Sequence, residues 1–352
     1  MSDQMKALVL KAPNEYGIEM IRIPECQDKG ILLKVLACGL CGSDLRTLGS
    51  GHRNINLPWT IGHEIAGEVI QTGNGYQGRW KIGDRIAVAP TVYCGVCDFC
   101  LEGRYELCDN LREIAQQWQG GFAQYIAIPE EALVLGAIQP VPEGMDYKVA
   151  AVAEPAASVV NAQEKGQVGL GDTVVIIGSG PIGCIHASVG KARGAARVIV
   201  ADVFEDRLKM CEPFEPDLLI NASRVNLVEE VKKVTSGKGA DVVITANPVA
   251  ETQIQAIEMA RKGGRILFFG GLPHGKSKPG IDTNLIHYKG LHVIGTTTFA
   301  PRHHKLALSL MQSGKIPGDK LVTHVMPLDD FKKGVALAAG GKALKVVFIP
   351  QE

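Results

Sequence analysis

Four thiols fall in one short stretch. Cys94, Cys97 and Cys100 sit in Cys94-Gly95-Val96-Cys97-Asp98-Phe99-Cys100, and Cys108 follows eight residues on. This C-x2-C-x2-C-x7-C spacing lets one small lobe wrap one ion and predicts a closed tetrahedral zinc site. Four thiolates leave no open position, so the expected role is structural. An iron–sulfur cluster is the rival for the same sulfurs. Zinc binding to a lobe this small is worth on the order of 10 kcal/mol, so the lobe is expected to order only with its metal.

A second constellation runs from Thr173 to Asp202. The apolar run Val174–Ile177 ends in Gly178-Ser179-Gly180-Pro181-Ile182-Gly183. A helical stretch of small residues follows, then the apolar run Val198–Val200, closing on Asp202. Strand, glycine turn, helix, strand and acid in that order predict a dinucleotide site. Gly178 permits the tight turn, Gly180 lets backbone N–H groups approach a pyrophosphate, and Gly183 lets the helix pack close to the sheet. The helix N-terminus adds partial positive charge where phosphates would lie. Asp202 can accept from both ribose hydroxyls and would repel a 2′-phosphate, which favours NAD over NADP, although Arg207 lies near enough to blur that preference. A ligand-free turn, or another nucleotide-binding sheet such as a methyltransferase, is the alternative. The complete strand–turn–helix–strand context weighs against it.

Other reactive residues are more scattered. Cys41-Gly42-Ser43-Asp44, Gly62-His63-Glu64 and Glu154 within Ala150–Ala157 are the main ones. A carboxylate among alanines is costly unless paired or bound to metal; an ordinary helix-start acid beside Pro155 is the plainer reading. One thiolate, one imidazole and carboxylates could hold Zn²⁺ with a position left open for a hydroxyl. Cys38 reads as packing, and Cys26, Cys184 and Cys211 as free thiols. His303 and His304 are adjacent and do not share a helical face. Trp59, Trp118 and Phe299 are read as core before pocket.

The elements that must position these groups fall into two patterns. Met5–Leu10, Gly30–Ala37, the stretch from Thr60 to Val69, Lys81–Val88 as a turn feeding a strand, and Gly120–Ile128 predict a mostly β start, broken by turn residues. From Val174 onward strands alternate with helices: Asp241–Ile244, the helix Thr252–Arg261, Gly264–Gly270 and Leu291–Gly295. That alternation predicts a parallel, doubly wound α/β sheet. After about residue 300 come helices at His304–Ser313 and Phe331–Ala339 and a closing strand, Lys345–Ile349. At 352 residues, two domains are expected.

Composition excludes several classes. Hydrophobic residues make up 46% and charged residues 21%, as in globular proteins. Basic and acidic residues balance at 37 each, so no global field draws nucleic acid or an anionic membrane. No apolar run reaches the roughly 18 residues of a membrane span. The start of the chain lacks a signal-peptide apolar region, and an odd count of nine cysteines argues against a disulfide framework. A cytoplasmic location is expected.

Taken together, C-G-S-D at 41–44, G-H-E at 62–64, the cysteine lobe at 94–108, E-P at 154–155 and G-S-G-P-I-G at 178–183 resemble the zinc-dependent medium-chain alcohol dehydrogenase family. The resemblance covers essentially the whole chain and is closest to the sorbitol (polyol) and threonine dehydrogenase branch. It implies a mostly β, GroES-like catalytic domain at 1–152 and 300–352, and a Rossmann NAD-binding domain at 153–299 with a cleft between them. It also implies two zinc ions per chain, one catalytic and one structural. Cys41 and His63 look like catalytic zinc ligands. Glu64 and Glu154 match positions that carry direct or exchangeable ligands, with the choice between them open. Glu154 stands where classical members carry cysteine, which points to the polyol branch. Ser43 resembles the start of the proton relay. The outward position three residues on, a histidine in many relatives, is Arg46, which cannot act as a base; His52 is the nearby alternative. The implied reaction is reversible oxidation of a secondary alcohol, on a polyol, sugar alcohol or cyclitol, by NAD. A threonine-like 3-hydroxy amino acid is the rival substrate, and a non-catalytic binding relative the rival class. A homodimer or homotetramer is implied.

Overall fold

The computed structural model describes residues 3–273 and 275–352. The chain forms two compact units. One takes the chain up to Ala157 together with Thr298–Gly314 and Gly318–Glu352; the other takes Ser158–Thr297 with Lys315–Pro317. Among the described residues no helix is long and apolar enough to cross a membrane.

The first unit is built on an eight-stranded sheet. Its central path runs Val322–Pro327, Lys345–Ile349, Ile31–Gly39, Glu64–Thr72, Arg85–Val92 and Arg112–Glu113. Tyr125–Ile128 joins on Ile31–Gly39, and Gly136–Pro140 on Arg85–Val92. Ile31–Gly39 is a near-continuous apolar run broken only by Lys34 and is largely buried on both faces, which makes it the spine of the unit. The late strand Lys345–Ile349 pairs antiparallel with the end of that spine, Val347 opposite Gly39 and Phe348 opposite Cys38. Leu8, Ile31, Leu33, Ile65, Phe122, Phe331 and Phe348 are among the core residues, and Cys38 is buried with them.

Three features differ from the sequence reading. Glu15–Arg22 is a strand, hairpinned to Gln4–Ala12 through Asn14 at φ 64°. The expected strand from Gly120 shortens to Tyr125–Ile128, because Gly120 and Gly121 are packed against Ile61, Gly62 and Ile65 instead of extending a ladder. The apolar stretch from Ala150 divides into two helices, Tyr147–Ala151 and Ala153–Lys165, with Glu154 in the first turn of the second.

The second unit carries a six-stranded parallel sheet with the order Leu218–Asn221, Arg197–Asp202, Thr173–Ile177, Ala240–Thr245, Ala260–Phe268, His292–Gly295. The strand order reverses between Thr173–Ile177 and Ala240–Thr245, the switch point at which such sheets bind ligands. Leu218–Asn221 had no separate sequence signal; its four residues are short and lie just after a 3-10 turn ending at Phe214. The core beneath the sheet is aliphatic: Val175, Ile177, Ile199, Val243 and Ile266 are all nearly or fully buried.

Candidate active site: a metal cluster and a dinucleotide cavity

Cys41 is the N-cap of the helix Gly42–Ser50, extended at φ −101° and ψ 157°. Asp44 stands three residues into that helix and is 3% exposed. Its Oδ2 accepts the Cys41 N–H at 2.9 Å, and its Oδ1 lies 3.2 Å from His63 Nδ1. One carboxylate thus fixes both the cysteine backbone and the ring, leaving His63 Nε2 turned the other way, 3.5 Å from Ser43 Oγ. Gly62, at φ 103°, delivers the ring: a Cβ there would come within 2.7 Å of Phe122.

Glu64 heads the strand Glu64–Thr72 and is fully buried. It lies opposite Gly39, whose missing side chain leaves the room that the Glu64 carboxylate occupies. Glu64 Oε1 is 2.6 Å from Lys345 Nζ, which also donates to the Leu40 carbonyl at 3.2 Å. Glu64 Oε2 is buried with no hydrogen-bond partner. Ligand atoms of Cys41, His63 and Glu64 all lie within 4.8 Å of one another.

The electrostatics favour a positive occupant. Burial works against a charged His63 ring, but Asp44 and Cys41 outweigh it and hold the ring's pKa well above that of free histidine. Glu154 lies outside the 4.8 Å group, and burial pushes its carboxyl up to about 8, with the Glu64 charge adding to the rise and His63 opposing it. A thiol, an imidazole and an orphaned carboxylate oxygen form a donor set that suits Zn²⁺, and the buried Glu154 carboxyl outside it feels the charges of His63 and Glu64.

The cysteine lobe forms the second group among the described residues: ligand atoms of Cys94, Cys97, Cys100 and Cys108 lie within 4.8 Å of one another. Backbone N–H groups point at the sulfurs, Cys94 N–H at Cys108 Sγ (3.2 Å) and Cys97 N–H at Cys94 Sγ (3.4 Å). Such donors stabilise thiolates, and those of Val96 and Cys97 pull Cys94 down to about 6. Burial pushes Cys100 up to about 12, a cost that a bound dication removes. None of the nine cysteines is in a disulfide.

In the second unit the glycine turn opens a cavity of about 760 Å³ lined by Gly178, Gly180, Pro181, Ile182, Asp202 and Arg207. Gly178 is at φ 115°. A Cβ on Gly183 would collide with the Gly178 carbonyl, so the helix Pro181–Ala192 can approach its strand only because Gly183 lacks one. Gly180 caps that helix and Pro181 takes its first position, where a missing N–H costs nothing. Asp202 Oδ2 accepts from Ser179 N (2.8 Å) and Ser179 Oγ (3.0 Å), and Oδ1 from Phe204 N (3.1 Å). An Arg207 guanidinium nitrogen lies 3.1 Å from where a Gly180 Cβ would sit. The volume, the open helix N-terminus, the acid and the cation fit a dinucleotide.

The structure brings Cys41, Ser43, His63 and Glu64 together, and Gly178, Gly180, Gly183, Asp202 and Arg207 together. Arg46 and His52 are exposed, and His52 accepts the Asn54 N–H. Phe299 is buried, and Trp59 and Trp118 pack, partly buried, against the core around Leu8, Phe122 and Phe348. Sequence reasoning missed Lys345, whose position at the head of a closing strand carries no signal of its own.

The pattern described as "Alcohol dehydrogenase GroES-like domain" matches residues 27–143, and that described as "Zinc-binding dehydrogenase" matches residues 181–313. A sorbitol dehydrogenase of Halalkalibacterium halodurans is 34% identical over 98% of this chain and 99% of its own. An L-threonine 3-dehydrogenase of Pyrococcus furiosus is 32% identical over 99% of each. A zinc-binding dehydrogenase of Sinorhizobium meliloti, solved bound to NADP, superposes with a TM-score of 0.91 at 31% identity, covering 99% of this chain and 100% of that one.

Proposed function

The chain belongs to the zinc-dependent medium-chain alcohol dehydrogenase family, and on that premise we propose that it oxidises a secondary alcohol of a polyol, sugar alcohol or cyclitol to the ketone with NAD. The observation that carries this reading is the cluster of Cys41, His63 and the buried Glu64 carboxyl, with Glu154, a second buried carboxyl outside that cluster, still feeling the charges of His63 and Glu64. It makes a metal site rich in oxygen donors, and the relative with the highest identity reported above is a sorbitol dehydrogenase.

Cys41 and His63 would hold the catalytic zinc, with Glu64 or Glu154 as the exchangeable carboxylate. Zinc, when bound, supplies Lewis acidity that lowers the pKa of a substrate hydroxyl, and NAD accepts the hydride. The chain's own groups do the rest. Asp44 holds Nδ1 of His63, so that Nε2 is the nitrogen left for the metal. Ser43, 3.5 Å from that nitrogen, takes the substrate proton and hands it on. Arg46 cannot receive it, so the proton leaves through water or a ribose hydroxyl. Lys345 pairs with one oxygen of Glu64 at 2.6 Å and supplies a positive charge beside it in a dry site. The turn Gly178–Gly183 would offer backbone N–H groups to the pyrophosphate, Asp202 would face the adenosine ribose, and Arg207 would add positive charge beside them. Cys94, Cys97, Cys100 and Cys108 would hold a second, structural zinc.

We assign residues 1–152 and 300–352 to catalysis and 153–299 to the dinucleotide, and expect a homodimer or homotetramer. Nine unpaired thiols suit the reducing cytoplasm. A second reading, oxidation of a 3-hydroxy amino acid, is favoured by the threonine dehydrogenase relative. The test is turnover of NAD across polyols, cyclitols, sugar phosphates and threonine, with zinc content measured on the same sample. Polyol or cyclitol activity with one zinc per cluster supports the proposal. Activity on threonine alone moves the substrate to the second reading. Absence of zinc at Cys41 and His63 overturns the reading of the centre.

A further inference from the structure

Asp202 lines the dinucleotide cavity, yet most of its acceptor capacity is already in use. Oδ2 takes two donors from Ser179, the backbone N–H at 2.8 Å and the hydroxyl at 3.0 Å. Oδ1 takes the Phe204 N–H at 3.1 Å. An ionised carboxylate offers about four lone-pair sites, two on each oxygen. Three are filled, and the open one is on Oδ1.

The three donors are not equivalent. The two backbone N–H groups, one on each oxygen, already fix the plane and position of the carboxylate. The Ser179 hydroxyl adds nothing to that orientation. Its separate effects are to occupy the second site on Oδ2 and to draw off part of the negative charge. Ser179 is fully buried, so this hydroxyl has no water to turn to. An adenosine ribose presents two adjacent hydroxyls, and gripping both requires one free site on each oxygen. The same cavity holds Arg207, a cation that a 2′-phosphate could use once the acid's field is weakened.

We infer that Ser179 is a specificity-determining residue: its hydroxyl competes with the cofactor ribose for Asp202 and narrows the preference for NAD over NADP. This rests on the reading that Asp202 faces the adenosine ribose. Removing the hydroxyl leaves both backbone anchors in place, frees the second acceptor site and restores the full charge.

The experiment measures dissociation constants of NADH and NADPH by fluorescence titration of the zinc-loaded enzyme, for the parent, Ser179→Ala and Asp202→Asn. Ser179→Ala is expected to tighten NADH by roughly threefold to tenfold, the size of one net hydrogen bond, and to leave NADPH unchanged or weaker. The NADPH-to-NADH ratio then widens. Asp202→Asn is expected to narrow it. An unchanged or narrowed ratio in Ser179→Ala, with Asp202→Asn narrowing it as expected, overturns the inference alone. An unchanged ratio in Asp202→Asn removes the ribose contact itself and takes the inference with it. Should Ser179→Ala fold poorly, Ser179→Cys keeps the shape with a weaker donor and must shift the ratio in the same direction by a smaller factor; no shift overturns the inference.

Discussion

Lys345→Met strips one partner from an ion pair that has almost no access to water. Lys345 is 3% exposed and Glu64 0%, with Nζ and Oε1 2.6 Å apart. Burial works against the ammonium, but Glu64 and Cys41 outweigh it and hold Lys345 above its ordinary pKa, so the lysine is charged throughout the neutral range. Its contribution is present below the usual lysine pKa and is lost only at pH above the raised one. Methionine keeps the length and most of the volume, so the loss is electrostatic and not a cavity. What remains is a buried Glu64 whose Oε2 has no partner and whose Oε1 has lost its own. Breaking a buried pair from one side costs about 3–5 kcal/mol, a large share of the roughly 5–15 kcal/mol that holds a domain together. The assay is urea denaturation of metal-stripped and zinc-loaded protein. The stripped variant should show the full loss, and zinc should restore part of it by supplying a positive charge beside Glu64. Glu64→Gln combined with Lys345→Met should recover more than half, because removing both charges of a buried pair is near neutral. A stripped Lys345→Met protein within about 1 kcal/mol of the parent would refute the reasoning, since the pair would then be worth no more than an exposed surface contact.

The buried carboxyl predicts a pH dependence in the metal-free protein. Glu154 is raised from 4.5 to about 8 by burial, so across that window the folded state holds a proton that the unfolded chain has released. Stability should therefore fall as pH rises from about 4.5 to about 8, and Glu154→Gln should flatten the slope of melting temperature against pH; a rising slope in the parent would contradict this. Zinc taken up by the stripped enzyme at neutral pH should displace protons from Glu154 and His63, seen as binding heats that differ between buffers of different ionisation enthalpy. Cys97→Ser should lose the lobe's zinc and open a tryptic site at Arg104, whose side chain is 51% exposed; an intact lobe under trypsin would count against a structural metal. Gly183→Ala forces a Cβ into the Gly178 carbonyl, and should cost about 1–3 kcal/mol of stability and weaken NADH binding by at least about tenfold. Unaltered NADH affinity would mean the turn is not the cofactor's seat.

What could be read from the sequence and what could not divide along a physical line. Metal and phosphate chemistry restrict residue type severely, so the groups that touch a ligand announce themselves. Four cysteines within fifteen residues, or glycines at 178, 180 and 183 between two apolar runs, have few other uses. The strand, helix and strand around those glycines are local, so their parallel pairing was legible too, and the structure sets Val198 beside Val174 and Ile199 beside Val175. The groups that hold those ligands in place answer only to volume and charge, which many residues at many positions can satisfy. Lys345 lies 281 positions from Glu64, and only the pairing of Lys345–Ile349 with Ile31–Gly39 brings it there. Gly39 is needed because Glu64 fills the space beside it, a reason that exists only in the folded register. Ser179 sits between two glycines of the turn, and nothing in a linear chain shows that its hydroxyl reaches Asp202, 23 residues on. The same logic explains the missed strand Glu15–Arg22, whose mostly half-exposed residues lack the alternation of a buried face. Sequence motifs therefore identify the groups that touch the ligands, while the packed fold identifies the charges and gaps that set how strongly those groups work.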